Sequence, residues 1–144
     1  MIRFATAAAA LLLTAAPALA QSADNKVVLT FETGARTGRV MIALYDSAPS
    51  FDGSGADANR AVARTAISAS GRVVATFDNL PAGDYAVKAF HDVNGDGEMN
   101  TNPFGMPTEP YAFSNNAVGN MGPARWDRAH FAVSGETAQT ISIR

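Results

Sequence analysis

The chain has 144 residues, a formal net charge of −2 and no cysteine. The lack of cysteine excludes disulfide bonds and cysteine catalysis. The chain has 11 Lys and Arg against 13 Asp and Glu. It therefore lacks the excess of basic residues that is typical of proteins that bind nucleic acid or anionic lipid. The charge balance is compatible with a cation ligand but does not require one.

Residues 1–20 have the organisation of a secretory signal peptide. Arg3 precedes an apolar run from Ala5 to Ala16, and Ala18-Leu19-Ala20 is a small-residue cleavage pattern. We therefore predict cleavage before Gln21 and a periplasmic or secreted protein. An uncleaved anchor is the alternative, although the run is short for that purpose. The mature chain, residues 21–144, suits one domain and contains no other stretch long enough to cross a bilayer.

Short segments with alternating apolar residues dominate the mature chain. They cover residues 27–32, 40–45, 73–78, 85–90, 131–133 and 141–143, and turn residues such as Pro81-Ala82-Gly83-Asp84 separate them. Period-two patterns of this kind predict β-strands. Residues 58–67 allow a strand or a helix, and we expect a strand. The sequence thus predicts an all-β fold, a single antiparallel β-sandwich of about seven strands without a substantial helix.

Two segments interrupt the strand pattern. Residues 47–59 are rich in Ser, Gly, Asp and Pro and are predicted to be a loop. The segment from Asp92 to about Trp126 has no convincing periodicity, and loops this long are usually functional or disordered. Its aromatic residues argue against disorder; they are Phe104, Tyr111, Phe113 and Trp126. We predict one long ordered loop anchored by these rings, with a ligand platform, for example for sugar rings, as the alternative.

The first part of this loop resembles the start of an EF-hand calcium loop. EF-hand loops carry oxygen side chains at positions 1, 3 and 5, a Gly at 6, a carbonyl ligand at 7 and a ligand near 9. Those positions are taken here by Asp92, Asn94, Asp96, Gly97, Glu98 and Asn100. The spacing predicts a Ca²⁺ site built from the side chains of Asp92, Asn94, Asp96 and Asn100 and the carbonyl of Glu98.

Two observations count against the calcium hypothesis. The twelfth position, where EF-hands place a bidentate Glu, is Pro103, so the expected affinity falls in the weak extracellular range. Glu109 is a candidate late ligand if the loop folds back. The same residues would also form an Asx-rich turn, because Asp and Asn bond to nearby backbone and Gly95 and Gly97 permit positive φ. The sequence does not separate these two interpretations.

A longer stretch carries a family resemblance. The block Asn79-Leu80-Pro81-Ala82-Gly83-Asp84-Tyr85-Ala86-Val87 leads into Phe90-His91-Asp92-Val93-Asn94-Gly95-Asp96-Gly97, and Phe104-Gly105-Met106-Pro107-Thr108-Glu109-Pro110-Tyr111 follows. These blocks resemble the small exported bacterial proteins of domain-of-unknown-function family 2141. The resemblance implies an immunoglobulin-like or prealbumin-like β-sandwich and implies no activity. In that family the position of Asn100 is often Asp, so the amide here would weaken a cation site.

Candidates for catalysis are few. His91 and His130 are the only histidines. We expect both to belong to strands, as the residue after 85–90 and the residue before 131–133, where a structural role is the simpler interpretation. Ser114 and Thr101 are available hydroxyls, but neither lies in a nucleophile-elbow pattern. Tyr85 follows a tight turn at the start of a strand, where it is expected to bond back to upstream backbone.

We therefore expect a non-enzymatic, exported binding or structural module of the cell envelope, ordered by Ca²⁺ under the calcium hypothesis. Its partner would be an envelope protein, a peptide or a glycan. The alternative is an envelope hydrolase or metal-dependent enzyme that uses His91, Asp92 and His130.

Overall fold

The computed structural model describes residues 24–34 and 37–144, so the predicted signal peptide lies outside the described residues. In chain order the elements are β1 (Asn25–Glu32), β2 (Arg39–Tyr45), α1 (Ala48–Asp52), β3 (Ala63–Ser68), β4 (Arg72–Leu80), β5 (Gly83–Asp92), β6 (Tyr111–Phe113), a 3₁₀ turn (Ser114–Asn116), α2 (Trp126–Ala129), β7 (Phe131–Val133) and β8 (Glu136–Ser142). Among the described residues, no helix is long and apolar enough to span a membrane.

The strands form two packed sheets, which confirms the predicted β-sandwich. The smaller sheet has the order β4-β1-β8, and the larger has the order β3-β2-β5-β6, with β7 paired to the start of β5. The β1–β8 pair is parallel, whereas the other pairs of described strands are antiparallel. The parallel pair arises because the turn after β7 brings Gly135 beside the start of β1, where Lys26 N–H donates to the Gly135 carbonyl at 3.0 Å.

The main core lies between the two sheets and is made by the alternating positions of the sequence pattern. In β1, Val27, Leu29 and Phe31 have no exposed surface, while the residues between them are partly exposed. The same inward alternation supplies most of the remaining core residues: Val40, Ile42, Leu44, Val73, Ala75, Phe77, Val87, Ala89, Val133, Ile141 and Ile143. Burial of this apolar surface is the main stabilising term of the fold.

A second apolar cluster covers part of the outer face of the larger sheet. Its centre is Phe51 on α1, which is 1 % exposed. The Phe51 ring lies edge-on to Tyr45 at 5.6 Å and at 6.1 Å from both Phe113 and Trp126, measured between ring centroids. The predicted anchoring of the long loop is thus confirmed for Phe113 and Trp126. It is wrong for Phe104, which is 87 % exposed.

Short elements account for the differences between the predicted and the observed fold. The segment predicted as a loop at 47–59 contains α1, which begins after Ser47 with Pro49 in its first turn and ends at Gly53, whose φ is 72°. The long loop predicted from Asp92 to about Trp126 contains β6, of three residues, and α2, of four residues, begins at its end. Segments this short have no measurable periodicity, and β6 is defined by its pairing with β5. The predicted strand at 58–67 is confirmed as β3, which begins later, at Ala63.

Candidate functional site: the Asp92–Asn100 loop

The buried carboxylate of Asp92 organises the loop that follows β5. Asp92 has no exposed surface. Its Oδ1 accepts hydrogen bonds from the backbone N–H of Gly95 at 2.7 Å and of Asp96 at 3.2 Å, and its Oδ2 accepts one from Gly97 at 2.8 Å. Gly95 and Gly97 have φ values of 77° and 83°, which glycine adopts at little cost. The backbone therefore winds around one carboxylate that belongs to the end of a core strand.

Three polar side chains meet above this turn. The Asn94 amide nitrogen lies 3.1 Å from Asp96 Oδ2 and 2.9 Å from Asn100 Oδ1, and the Asn100 amide nitrogen donates to Asp96 Oδ2 at 2.9 Å. Hydrogen bonds from Asn100, from the Glu98 backbone N–H and from Asn94 hold the pKa of Asp96 below its ordinary value, because each bond favours the ionised carboxylate. The side chain of Glu98 itself is exposed.

Glu109 closes the loop from behind. It is 8 % exposed, and its Oε1 accepts from the Val93 N–H at 2.9 Å while its Oε2 accepts from the Asn100 N–H at 3.2 Å. The carboxylate thus joins the first and the last part of the loop. The long segment folds back at Glu109, as the sequence analysis considered. The Glu109 oxygens bond to the backbone N–H groups of the loop.

Of the predicted ligands, Asn94, Asp96 and Asn100 contact one another, and their side-chain oxygens are already engaged in hydrogen bonds. Asn94 Oδ1 accepts from the Asp96 N–H at 3.1 Å, so the amide nitrogen, and not the oxygen, faces Asp96 Oδ2. Carboxylate and carbonyl oxygens retain further lone pairs, and a cation that replaced the amide hydrogens would contact Asp96 Oδ2 and Asn100 Oδ1. Among the described residues, no three His, Cys, Asp or Glu side chains group to hold a metal ion, so a site here depends on amide and backbone oxygens.

The structure does not bring the two histidines together. His91 is 1 % exposed, and its Nε2 donates to the Thr37 carbonyl oxygen at 2.6 Å. His130 donates from Nδ1 to the Trp126 carbonyl at 2.9 Å and stacks on the Trp126 ring. Because β7 pairs with β5 at Tyr85 and Phe131, His130 lies near the opposite end of β5 from His91, roughly 20 Å away along the strand.

The hydroxyls of Ser114 and Tyr85 are committed to the fold, whereas Thr101 is exposed. Ser114 has no exposed surface; its Oγ accepts from the Val87 N–H at 2.8 Å and donates to the Ala129 carbonyl at 2.6 Å. The Tyr85 hydroxyl donates to the Pro81 carbonyl at 2.7 Å, which confirms the predicted corner. Burial raises the pKa of Tyr85, with a smaller contribution from the negative charge of Asp46. These contacts are structural.

Lys88 is a polar residue that the sequence analysis missed. Its ammonium lies 5.1 Å from the ring centroid of Tyr45 and 4.9 Å from that of Phe51, within the range of cation–π attraction. Burial lowers the pKa of Lys88, and the nearby Asp52 carboxylate partly opposes this effect. A sequence signal that could have located it is the apolar character of the outward positions of β2 and β5 around Lys88, since such positions are typical of an outer face that other residues cover.

The fold and the loop define a small all-β sandwich domain with an Asp- and Asn-rich turn at the end of one of its central strands. Residues 32–142 match a bacterial family described as "Uncharacterized protein conserved in bacteria (DUF2141)", and the chain belongs to this family, as the sequence blocks predicted. No curated protein and no solved structure matches the chain.

Proposed function

We propose that the protein is an exported, non-enzymatic binding module of the cell envelope whose Asp92–Asn100 loop is ordered by Ca²⁺. The observation that supports the cation is the convergence of Asn94, Asp96 and Asn100 above the Asp92 carboxylate. From residue 92 to residue 109 the chain has four carboxylates, no Lys and no Arg. A cation there would balance charge that no basic side chain of the segment balances.

Ca²⁺ suits this ligand set better than Mg²⁺. Ca²⁺ accepts six to eight oxygens in variable geometry, whereas Mg²⁺ requires a near-ideal octahedron. The loop offers carboxylate, amide and carbonyl oxygens on a backbone with two glycines, an arrangement that adapts to variable coordination. With Pro103 at the position of the bidentate Glu, binding would be weak and suited to a calcium-rich medium outside the cytoplasm. The signal-peptide pattern of residues 1–20 supports such a location.

The role of the cation would be to order the surface that contacts a partner. Asn100 links the loop to the segment that follows, since its carbonyl accepts from the Thr108 N–H at 2.9 Å and its N–H donates to Glu109. A cation held by Asp96 and Asn100 would therefore stabilise the segment that follows, residues 101–108, in which Thr101 and Pro107 are bridged. The envelope protein, peptide or glycan expected from the sequence would bind this ordered surface.

The experiment compares melting curves in chelator and in millimolar Ca²⁺. A ligand that binds only the native state adds RT ln(1 + [L]/Kd) to the free energy of unfolding, about 2.7 kcal/mol at one hundred times Kd. Wild-type protein should therefore melt at a higher temperature in Ca²⁺, and Asp96→Ala should lose the shift.

Asn94→Asp separates a cation site from an Asx turn. The substitution removes both amide donors and adds negative charge beside Asp96, so it should lower the midpoint in chelator. In Ca²⁺ the new carboxylate is an additional ligand, so the rise in midpoint should exceed that of wild type. Asn102→Asp is the matched control, because Asn102 Oδ1 only accepts hydrogen bonds, from the N–H groups of Phe104 and Met106, and Asp retains that acceptor. If wild type shows no shift and Asn94→Asp melts equally early in both media, the loop is only an Asx turn.

A further inference from the structure

The two sides of the sandwich differ in how their edge strands are covered. On the side of β6 and β8, the Asn116 side chain accepts from the Ser142 N–H at 2.9 Å and donates to the Thr140 carbonyl at 3.0 Å. The Tyr111 N–H of β6 donates to the Arg144 carbonyl at 3.1 Å. These bonds occupy main-chain groups at which a further strand could otherwise pair. A further strand is therefore excluded where these bonds lie.

The opposite side of the sandwich ends in β3 and β4, and the edge of β4 is open. β4 is the last strand of its sheet. The Thr33 N–H donates to the Gly71 carbonyl at 2.8 Å in the register of the β1–β4 pair, so the odd-numbered residues of β4 bond to β1 and the even-numbered ones direct their N–H and C=O groups to the edge. Within the described part of the chain, the one hydrogen bond that reaches this edge between 72 and 78 comes from the Ser70 hydroxyl to the Arg72 carbonyl, at 3.1 Å. An exposed row of such groups is a template for another strand.

The open edge is regular and symmetric about Ala75. Residues with positive φ bound it at both ends, Gly71 at 89° and Asn79 at 57°. Between them, residues 72–78 alternate exposed with buried side chains. Val74 is 54 % exposed, and β-branched side chains pair favourably across strands. The edge therefore has the length and the regularity of a strand that can accept a neighbour.

Opposite charges stand at the two ends of this edge. Arg72 and Asp78 are both exposed and lie equally far from Ala75. Neither forms an ion pair with another described residue; Arg72 lies opposite Glu32 of β1, and Asp78 lies near Lys26. Two copies of β4 that pair antiparallel about Ala75 would place Arg72 of each copy opposite Asp78 of the other. The edge is therefore complementary in charge to a second copy of itself.

We propose that two copies of this chain pair through β4, antiparallel and centred on Ala75, so that one sheet with the strand order β8-β1-β4-β4-β1-β8 runs through both. In this register Val74 of each copy faces Thr76 of the other, and each pair of edge-directed residues exchanges both main-chain hydrogen bonds. A shift of the pairing by two residues would bring Asp78 opposite Val74 or Ser70, so the charges favour the centred register. The pairing goes beyond the proposed function and does not depend on the cation site.

The test is sedimentation velocity at protein concentrations from micromolar to millimolar, in chelator so that calcium does not contribute. Pairing of one strand buries less surface than stable interfaces do, so wild type should change from monomer to dimer within this range. Arg72→Asp and Asp78→Arg should each raise the dissociation constant of the dimer at least about tenfold, or about 1.4 kcal/mol, because the symmetry places like charges together twice. An equimolar mixture of the two variants should dimerise as wild type does, because each altered residue then faces an opposite charge.

Arg64→Asp is the matched control. Arg64 is an exposed arginine on β3, the terminal strand of the larger sheet, and the variant should dimerise as wild type does. Hydrogen exchange of the Val74 and Thr76 amides should slow as the concentration of wild type rises, and melting curves check that each variant is folded. Wild type that stays monomeric at millimolar concentration would overturn the proposal and leave the edge to a strand of a different protein. A mixture that associates no more tightly than the single variants, or association that only Arg64→Asp abolishes, would also overturn it.

Discussion

Replacing Asp92 by Asn tests whether one buried carboxylate holds the loop to the sandwich. The wild-type side chain accepts hydrogen bonds from three backbone N–H groups, two at Oδ1 and one at Oδ2. Asn has the same shape but only one acceptor oxygen. If that oxygen keeps the bonds from Gly95 and Asp96, its amide group faces the N–H of Gly97, so two donors oppose each other where one bond existed.

The expected loss of stability follows from these contacts. A hydrogen bond to a charged group contributes about 1.5–3 kcal/mol, against about 0.5–1.5 kcal/mol for a neutral pair. One charged bond is lost completely, and two others become neutral bonds. Gly97 is exposed, so water recovers part of the lost bond at its N–H. We expect the free energy of unfolding to fall by about 3–4 kcal/mol, which corresponds to a decrease in Tm of roughly 15 °C for a domain of this size.

The assay is urea unfolding in chelator, so that calcium does not contribute. Asp84→Asn is the matched control: Asp84 lies on the same strand, β5, near its other end, and is exposed. The control should change stability by less than about 0.5 kcal/mol. Hydrogen exchange of the Gly97 amide should become faster in Asp92→Asn. If Asp92→Asn costs no more than Asp84→Asn, the carboxylate does not hold the loop and the argument is refuted.

Three further predictions concern the corner, the core and the loop. Tyr85→Phe, which removes the bond to the Pro81 carbonyl, should cost about 1 kcal/mol in urea unfolding. Leu29→Ala, at a position with no exposed surface, should cost about 2–5 kcal/mol because it leaves a cavity between the sheets. The pKa of Asp96 is lowered chiefly by Asn100, so its stabilising effect is present above the ordinary carboxyl pKa and is lost as the pH falls through the lower folded pKa. An NMR titration in chelator should show this low midpoint, and Asn100→Ala should raise it.

The strands could be predicted because each face of a strand has a distinct environment. β1 alternates buried with partly exposed residues and most of β4 alternates buried with exposed ones. This alternation is visible in the sequence. β2 carries a different signal, since Val40 to Tyr45 is apolar at every position. A continuous apolar run indicates a strand covered on both faces, and the second face is the one that α1 and α2 cover. That signal could have located the second cluster, although not the helices that form it.

Within the loop, the local contacts could be predicted and the distant ones could not. The spacing was enough to expect Asn94, Asp96 and Asn100 side by side, and their side chains do contact one another. Asp92 lies at the start of the same turn and binds its backbone N–H groups. The bonds from Val93 and Asn100 to Glu109 depend on the return of the chain, which no short-range pattern records. Phe104 was wrongly placed in a core for a related reason: an aromatic residue in a loop has the same sequence signal whether it is buried or exposed.

The two asparagines determine how strongly the loop depends on a cation. Carboxylates at their positions would concentrate charge around Asp96 that only a cation could neutralise. Here the amide nitrogens of Asn94 and Asn100 donate to Asp96 Oδ2 at 3.1 and 2.9 Å, so the loop closes through its own hydrogens. Under the proposed function, Ca²⁺ has to displace the amide hydrogens from Asp96 Oδ2. The free energy of those hydrogen bonds therefore lowers the affinity of the loop for Ca²⁺. The hydrogen bonds of the amides close the turn without metal, and under the proposed function the cation site would be weak and suited to a medium in which calcium is abundant. Replacing both asparagines by Asp should raise the calcium affinity and, in chelator, destabilise the loop.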